Sequence, residues 1–116
     1  MKGPTASTVL VVDDNPSNLQ VVGAVLEQAG YSTAFAFDGP SALEFARSSP
    51  PDLIILDVVM PGMDGYQVIG RLKENEGTRD IPVIFLTGRT GPDETVRGFE
   101  AGAADYVVKP FDWREL

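Results

Sequence analysis

Four times this chain runs through a short apolar stretch and stops it on a polar residue. "VLVV" at residues 9–12 ends on Asp13 and Asp14, and "LIIL" at 53–56 ends on Asp57. "IPVIFLT" at 81–87 ends on Thr87 with Gly88 behind it, and "DYVV" at 105–108 ends on Lys109 and Pro110. Continuous apolar runs of this length, rich in β-branched residues, are the pattern of strands buried on both faces. Such a sheet must be covered by helices on both sides, so the segments between the runs have to supply the helical period.

They do. Asn15 is set to cap a helix with Pro16 at its first position. Leu19, Val22, Leu26 and Ala29 then form one apolar stripe, and Gly30 is placed as a left-handed stop. "YSTAFAF" reads as the second strand. "DGP" opens a helix carrying Ala42, Leu43, Phe45 and Ala46, which Pro50 and Pro51 end. Tyr66, Ile69 and Leu72 mark a third helix after Gly65. Val96 and Phe99 mark a fourth, closed by Gly102, and "DWREL" is the first turn of a fifth. Strands alternating with helices predict an α/β fold, a doubly wound five-stranded parallel sheet with right-handed crossovers and the last helix truncated. In open sheets of this class the ligand site lies beyond the carboxyl ends of the strands. Asp13, Asp14, Asp57, Thr87 and Lys109 are therefore expected at one edge.

Composition narrows the chemistry available there. The chain of 116 residues contains no cysteine and no histidine. That excludes disulfides, thiolate and imidazole metal sites, and Ser-His or Cys-His catalysis. Any bound metal must be an oxygen-preferring one such as Mg²⁺. The net charge of −8 argues against direct nucleic-acid binding by this segment. The start, "MKGPTAST", has no apolar core, and the longest apolar runs are too short to cross a bilayer, so no membrane association is expected. The missing cysteines suit a reducing compartment, and the expected location is cytoplasmic.

Each polar strand end has an ordinary explanation when taken singly. An aspartate after a strand is most often a turn former or a helix cap, and a lysine most often a solvated charge. The set is harder to explain that way, because capping does not need three carboxylates at one edge. A divalent cation would turn their repulsion into attraction. Mg²⁺ characteristically takes one or two carboxylates and fills its remaining positions with water and phosphate oxygens.

The stretches "VLVVDDN", "LIILDVVMPGMDG", "VIFLTG" and "ADYVVKPF", in this order and spacing, resemble the receiver domain of two-component response regulators. The resemblance covers residues 9–116, leaving 1–8 as a flexible N-terminal segment. It goes with a flavodoxin-like strand order of 2-1-3-4-5. It implies that Asp57 accepts a phosphoryl group from the phosphohistidine of a sensor histidine kinase or phosphotransfer protein. It also implies that Asp13 and Asp14 hold Mg²⁺ (or Mn²⁺) together with Asp57 and the backbone carbonyl of Val59. Thr87 matches the switch hydroxyl, Lys109 the phosphate-binding lysine and Tyr106 the switch aromatic. Val59 and Arg89 stand where receivers tune the lifetime of the phosphoryl group. Val59 cannot orient an attacking water and Arg89 has donors but no acceptor, so slow self-dephosphorylation is expected. The resemblance further implies kinase recognition around Asn18, Gln20, Val21 and Val25, and an output domain following in a longer protein. It allows a homodimer through the face of the fourth helix, fifth strand and fifth helix.

Three other readings compete. A phosphatase of the haloacid-dehalogenase type wants a second acid two residues past its nucleophile, where this chain has Val59. An FMN module of the flavodoxin type wants a phosphate loop after the first strand, where this chain has two acids. A pseudo-receiver, never phosphorylated and acting only as a protein-interaction module, keeps the fold without the chemistry.

Overall fold

A computed structural model describes residues 7–58, 60, 62–87 and 105–108. In chain order the elements are β1 (Thr8–Val12), α1 (Pro16–Gln28), β2 (Ser32–Ala36), α2 (Gly39–Ser48), β3 (Leu53–Asp57), α3 (Gly65–Glu74), β4 (Val83–Thr87) and β5 (Asp105–Val108). The five strands form one parallel sheet in the order β2-β1-β3-β4-β5. The doubly wound α/β expectation holds in class and strand order. The fourth and fifth helices read from Val96, Phe99 and "DWREL" lie outside the described residues.

The unbroken apolar runs have the predicted meaning. Leu10, Val12, Ile54, Leu56, Val83 and Phe85 point to one face of the sheet, where they pack with Ala42, Leu43 and Ala46 of α2 and Val68, Ile69 and Leu72 of α3. Val9, Val11, Ile55 and Leu86, the alternate positions, point to the other face and meet Leu19, Val22 and Leu26 of α1. Period-two alternation thus feeds two cores from the same strands. Each fully buried Leu, Ile or Phe contributes about 1.5–3 kcal/mol.

The helix signals resolve as follows. Asn15 caps α1, its side chain accepting from the Ser17 N–H at 2.9 Å, and Gly30 follows with φ at 99°. Ala29, read into the apolar stripe, is exposed, because it is the C-cap where the chain leaves the helix. Gly23 is buried on α1 together with Leu19, Val22 and Leu26. Phe45 and Tyr66 are only half-buried and pack on the rim of the core.

α2 is held at its start by Asp38, whose carboxylate accepts from the Ser41 N–H at 2.8 Å. That backbone hydrogen bond, helped by the Ser41 side chain, lowers the Asp38 pKa from 3.8. A carboxyl whose pKa is lower folded than unfolded binds protons more readily in the unfolded chain. Its contribution is therefore complete well above pH 3.8 and disappears as the pH falls through the depressed folded value. Asp38→Ala is expected to lower the urea midpoint at pH 7. The difference from wild type should shrink steadily below about pH 4.

Candidate functional site

β1 and β3 are neighbours, with Val12 in register beside Leu56. The next residue on each strand, Asp13 and Asp57, therefore emerges side by side at the carboxyl edge. Asp13, Asp14 and Asp57 each offer a carboxylate oxygen, and these oxygens lie within 4.8 Å of one another. Asp13 and Asp57 are buried, at 2% and 5% exposure, while Asp14 is open to solvent. At an effective dielectric near 20, two ionised carboxylates at that spacing repel by about 3.5 kcal/mol. Such a cluster suits a small, hard divalent cation. Its donors are all oxygen, two are fixed by burial, and the third stands at the mouth.

Asp13 is aimed rather than loose. Its Oδ1 accepts from the Asn15 N–H at 3.0 Å and its Oδ2 from Asn18 Nδ2 at 3.1 Å. Asn18 reaches it because it is the third residue of α1, and side chains in a first turn fold back past the helix start. Kinase recognition is the expectation for Asn18; its hydrogen bond to Asp13 is a link that the sequence reading missed. A polar residue at that helix position after an acidic strand end was the available signal. Partners that orient a ligand typically contribute 10–100-fold to metal affinity. Asn18→Ala is expected to weaken Mg²⁺ binding about tenfold, measured by calorimetric titration. Unchanged affinity would mean that the bond serves only the helix.

The loop after β3 is closed by a second local device. Asp64 caps α3 by accepting from the Gln67 N–H at 2.9 Å, and the Gln67 side chain accepts from the Asp64 N–H at 3.0 Å. This reciprocal pair was legible in the Asp64-to-Gln67 spacing and was overlooked. Gly65 follows, its N–H donating to the Val58 carbonyl at 2.9 Å. A Cβ on Gly65 would lie 2.7 Å from the Asp57 carbonyl oxygen and 2.8 Å from Val58 Cα. Only glycine lets the start of α3 rest against the backbone that carries Asp57.

Thr87 ends β4, one residue beyond Leu86, the register partner of Asp57. Val108 pairs with Thr87, and Tyr106 lies on β5 in register with Phe85. The ends of β1, β3, β4 and β5 therefore reach the same sheet edge. Val59, Arg89 and Lys109 lie outside the described residues. A family model described as the response regulator receiver domain matches residues 9–116. The chain belongs to that family.

Among relatives of this receiver, a probable cyclic di-GMP phosphodiesterase of Vibrio cholerae is 46% identical over 95% of the chain and 25% of its own length. The phosphate regulon transcriptional regulatory protein PhoB of Escherichia coli is 45% identical over 96% of the chain and 48% of its own length. The receiver thus spans from a quarter to about half of these curated relatives. The receiver domain of the sensor histidine kinase PA1611 of Pseudomonas aeruginosa superposes with a TM-score of 0.86 at 33% identity, covering 95% of this chain and 90% of that one. That protein is described with a magnesium ion coordinated in its active-site cleft. Among the described residues, no helix is long and apolar enough to cross a membrane.

Proposed function

We propose that this receiver is a phosphorylation-activated switch that accepts a phosphoryl group on Asp57 from a phosphohistidine. The observation that carries the reading is the convergence of Asp13, Asp14 and Asp57 within 4.8 Å at the carboxyl edge of the sheet. Phosphoryl transfer to a carboxylate demands little covalent chemistry from the protein beyond positioning and charge neutralisation. In this proposal Asp57 Oδ attacks phosphorus, the bond to the donor nitrogen breaks, and the leaving imidazole takes up a proton.

Asp13, Asp14 and Asp57, with the Val59 carbonyl, would hold the cation. Asn18 and the Asn15 N–H keep Asp13 in place for it. Mg²⁺ when bound supplies about +2 which, with Lys109, offsets the phosphate and the two acids to near −1. Lys109 binds a phosphate oxygen and Thr87 closes on another. That movement and the reorientation of Tyr106 change the face formed by the fourth helix, β5 and the fifth helix, which a homodimer, an output domain or a partner would read.

Incubation with acetyl phosphate and Mg²⁺, followed by intact mass measurement, tests the reading. One added phosphoryl group per chain is expected, and EDTA should abolish it. An unmodified wild-type chain would favour the pseudo-receiver. If modification occurs, the phosphoryl group should persist for minutes or longer, since Val59 has no polar side-chain atom and Arg89 has no acceptor for a water proton.

A further inference from the structure

β2 is an edge strand, flanked by β1 on one side and by no strand on the other among the described residues. Its backbone is divided by residue parity. The Ser32 N–H donates to the Ser7 carbonyl and the Ala36 carbonyl accepts from the Asp13 N–H, so the even residues face β1. Thr33 and Phe35 therefore turn their N–H and C=O groups outward, and Phe37 follows directly after the strand. Natural edges are usually blunted by charge, proline or a bulge. Residues 31–37, "YSTAFAF", contain neither a charge nor a proline, and the β1 pairing runs without interruption from Ser32 to Ala36.

The same odd residues present side chains on the α1 side, since Phe35 is in register with Val11 of that face. Phe35 is 44% exposed and Phe37 56% exposed. Together with Pro16, Leu19 and Gln20 they line a groove of about 230 Å³ between α1 and the edge. The tip of the Phe35 ring reaches the helix because residue 23 is glycine; a Cβ there would lie 2.6 Å from the ring's Cζ. At the ends of this surface stand Asp38, next in the chain to Phe37, and Glu27, which accepts from Thr33 Oγ1 at 2.9 Å. Between Lys2 and Arg47 the chain has five acids (Asp13, Asp14, Glu27, Asp38, Glu44) and no cation.

We propose that the β2 edge is a docking surface for an extended segment of a partner protein whose apolar side chains alternate and whose ends are basic. The segment adds a sixth strand by pairing with Thr33, Phe35 and Phe37. Its alternate side chains cover the two rings, and its cations meet the acids at either end. A second copy of this chain fits less well, because it would bring the same acids to the interface.

Hydrogen exchange read by NMR, with the peptide acetyl-Lys-Val-Thr-Val-Thr-Val-Lys-amide as probe, tests the proposal. In the free protein the amides of residues 33, 35 and 37 should exchange fast and those of 32, 34 and 36 slowly. At a peptide concentration ten times Kd, the odd amides should slow by about tenfold. A peptide with Glu in place of both Lys should have no such effect. Phe37→Lys, at a position more than half exposed, should abolish the protection without unfolding the chain, and Thr33→Pro should remove it by deleting an outward donor. Absence of protection would overturn the proposal. So would shifts confined to Gln20 and Gly23, or odd-residue protection that rises with protein concentration alone.

Discussion

Asp57→Asn is expected to do two things that ordinarily oppose each other: abolish phosphoryl incorporation and stabilise the metal-free protein. Loss of incorporation follows if Asp57 is the acceptor, because an amide cannot replace a carboxylate as nucleophile. The gain in stability follows from burial. Asp57 and Asp13 are both nearly sealed from solvent, with carboxylate oxygens within 4.8 Å. Neutralising one relieves a repulsion of about 3.5 kcal/mol, part of which is returned through lost hydrogen bonding, so a net gain of about 1–2 kcal/mol is expected in EDTA. Mg²⁺ should reverse the order. At a hundred times Kd it stabilises the wild type by about 2.7 kcal/mol, while the variant, missing one ligand, gains much less. Urea unfolding with and without Mg²⁺ gives all four numbers. A variant less stable than wild type in EDTA would show that Asp57 is not held against net repulsion.

Gly65→Ala is the second large expectation, and here two effects must be weighed. Alanine in place of glycine in a helix contributes up to about 1 kcal/mol, and less in the first turn. Against this stand a contact of 2.7 Å with the Asp57 carbonyl oxygen and one of 2.8 Å with Val58 Cα. Both neighbours are backbone and cannot rotate away, and overpacking of this kind costs about 1–3 kcal/mol. The net result should be a loss of about 1–2 kcal/mol, with weaker Mg²⁺ binding because the Asp57 backbone must shift. Gly70 on the same helix is the internal control. A Cβ there meets nothing within 4 Å, so Gly70→Ala should stabilise by about 0.5–1 kcal/mol and leave Mg²⁺ affinity unchanged.

What could be read from the sequence was whatever depends on period and on strand ends. Unbroken apolar runs announced a sheet covered on both faces, and the carboxyl-edge rule brings Asp13, Asp14 and Asp57 together from the sequence alone. Asn15, Pro16 and Gly30 marked the bounds of α1 because capping is local. What was not legible depended on distance in space. Nothing in "MDGYQ" says that a Cβ on Gly65 would strike the backbone of Asp57, since the two meet only when α3 folds back on β3. Asn18 looked like helix surface because its partner, Asp13, is set by where β1 ends. "YSTAFAF" read as a strand like the others. Its place at the sheet edge came with the strand order that the family resemblance implied; that Phe35 and Phe37 stay half in solvent there does not follow from its own residues.

Whether the carboxylate ending β3 is the group that becomes phosphorylated can be read residue by residue. Reductive trapping tests it most directly. After reaction with acetyl phosphate and Mg²⁺, borohydride converts an aspartyl phosphate to homoserine, which peptide mass mapping locates by residue. Homoserine is expected at position 57 alone, and none when EDTA is present. Homoserine at Asp13 or Asp14, or a phosphoryl group that resists borohydride on a serine or threonine, would contradict it.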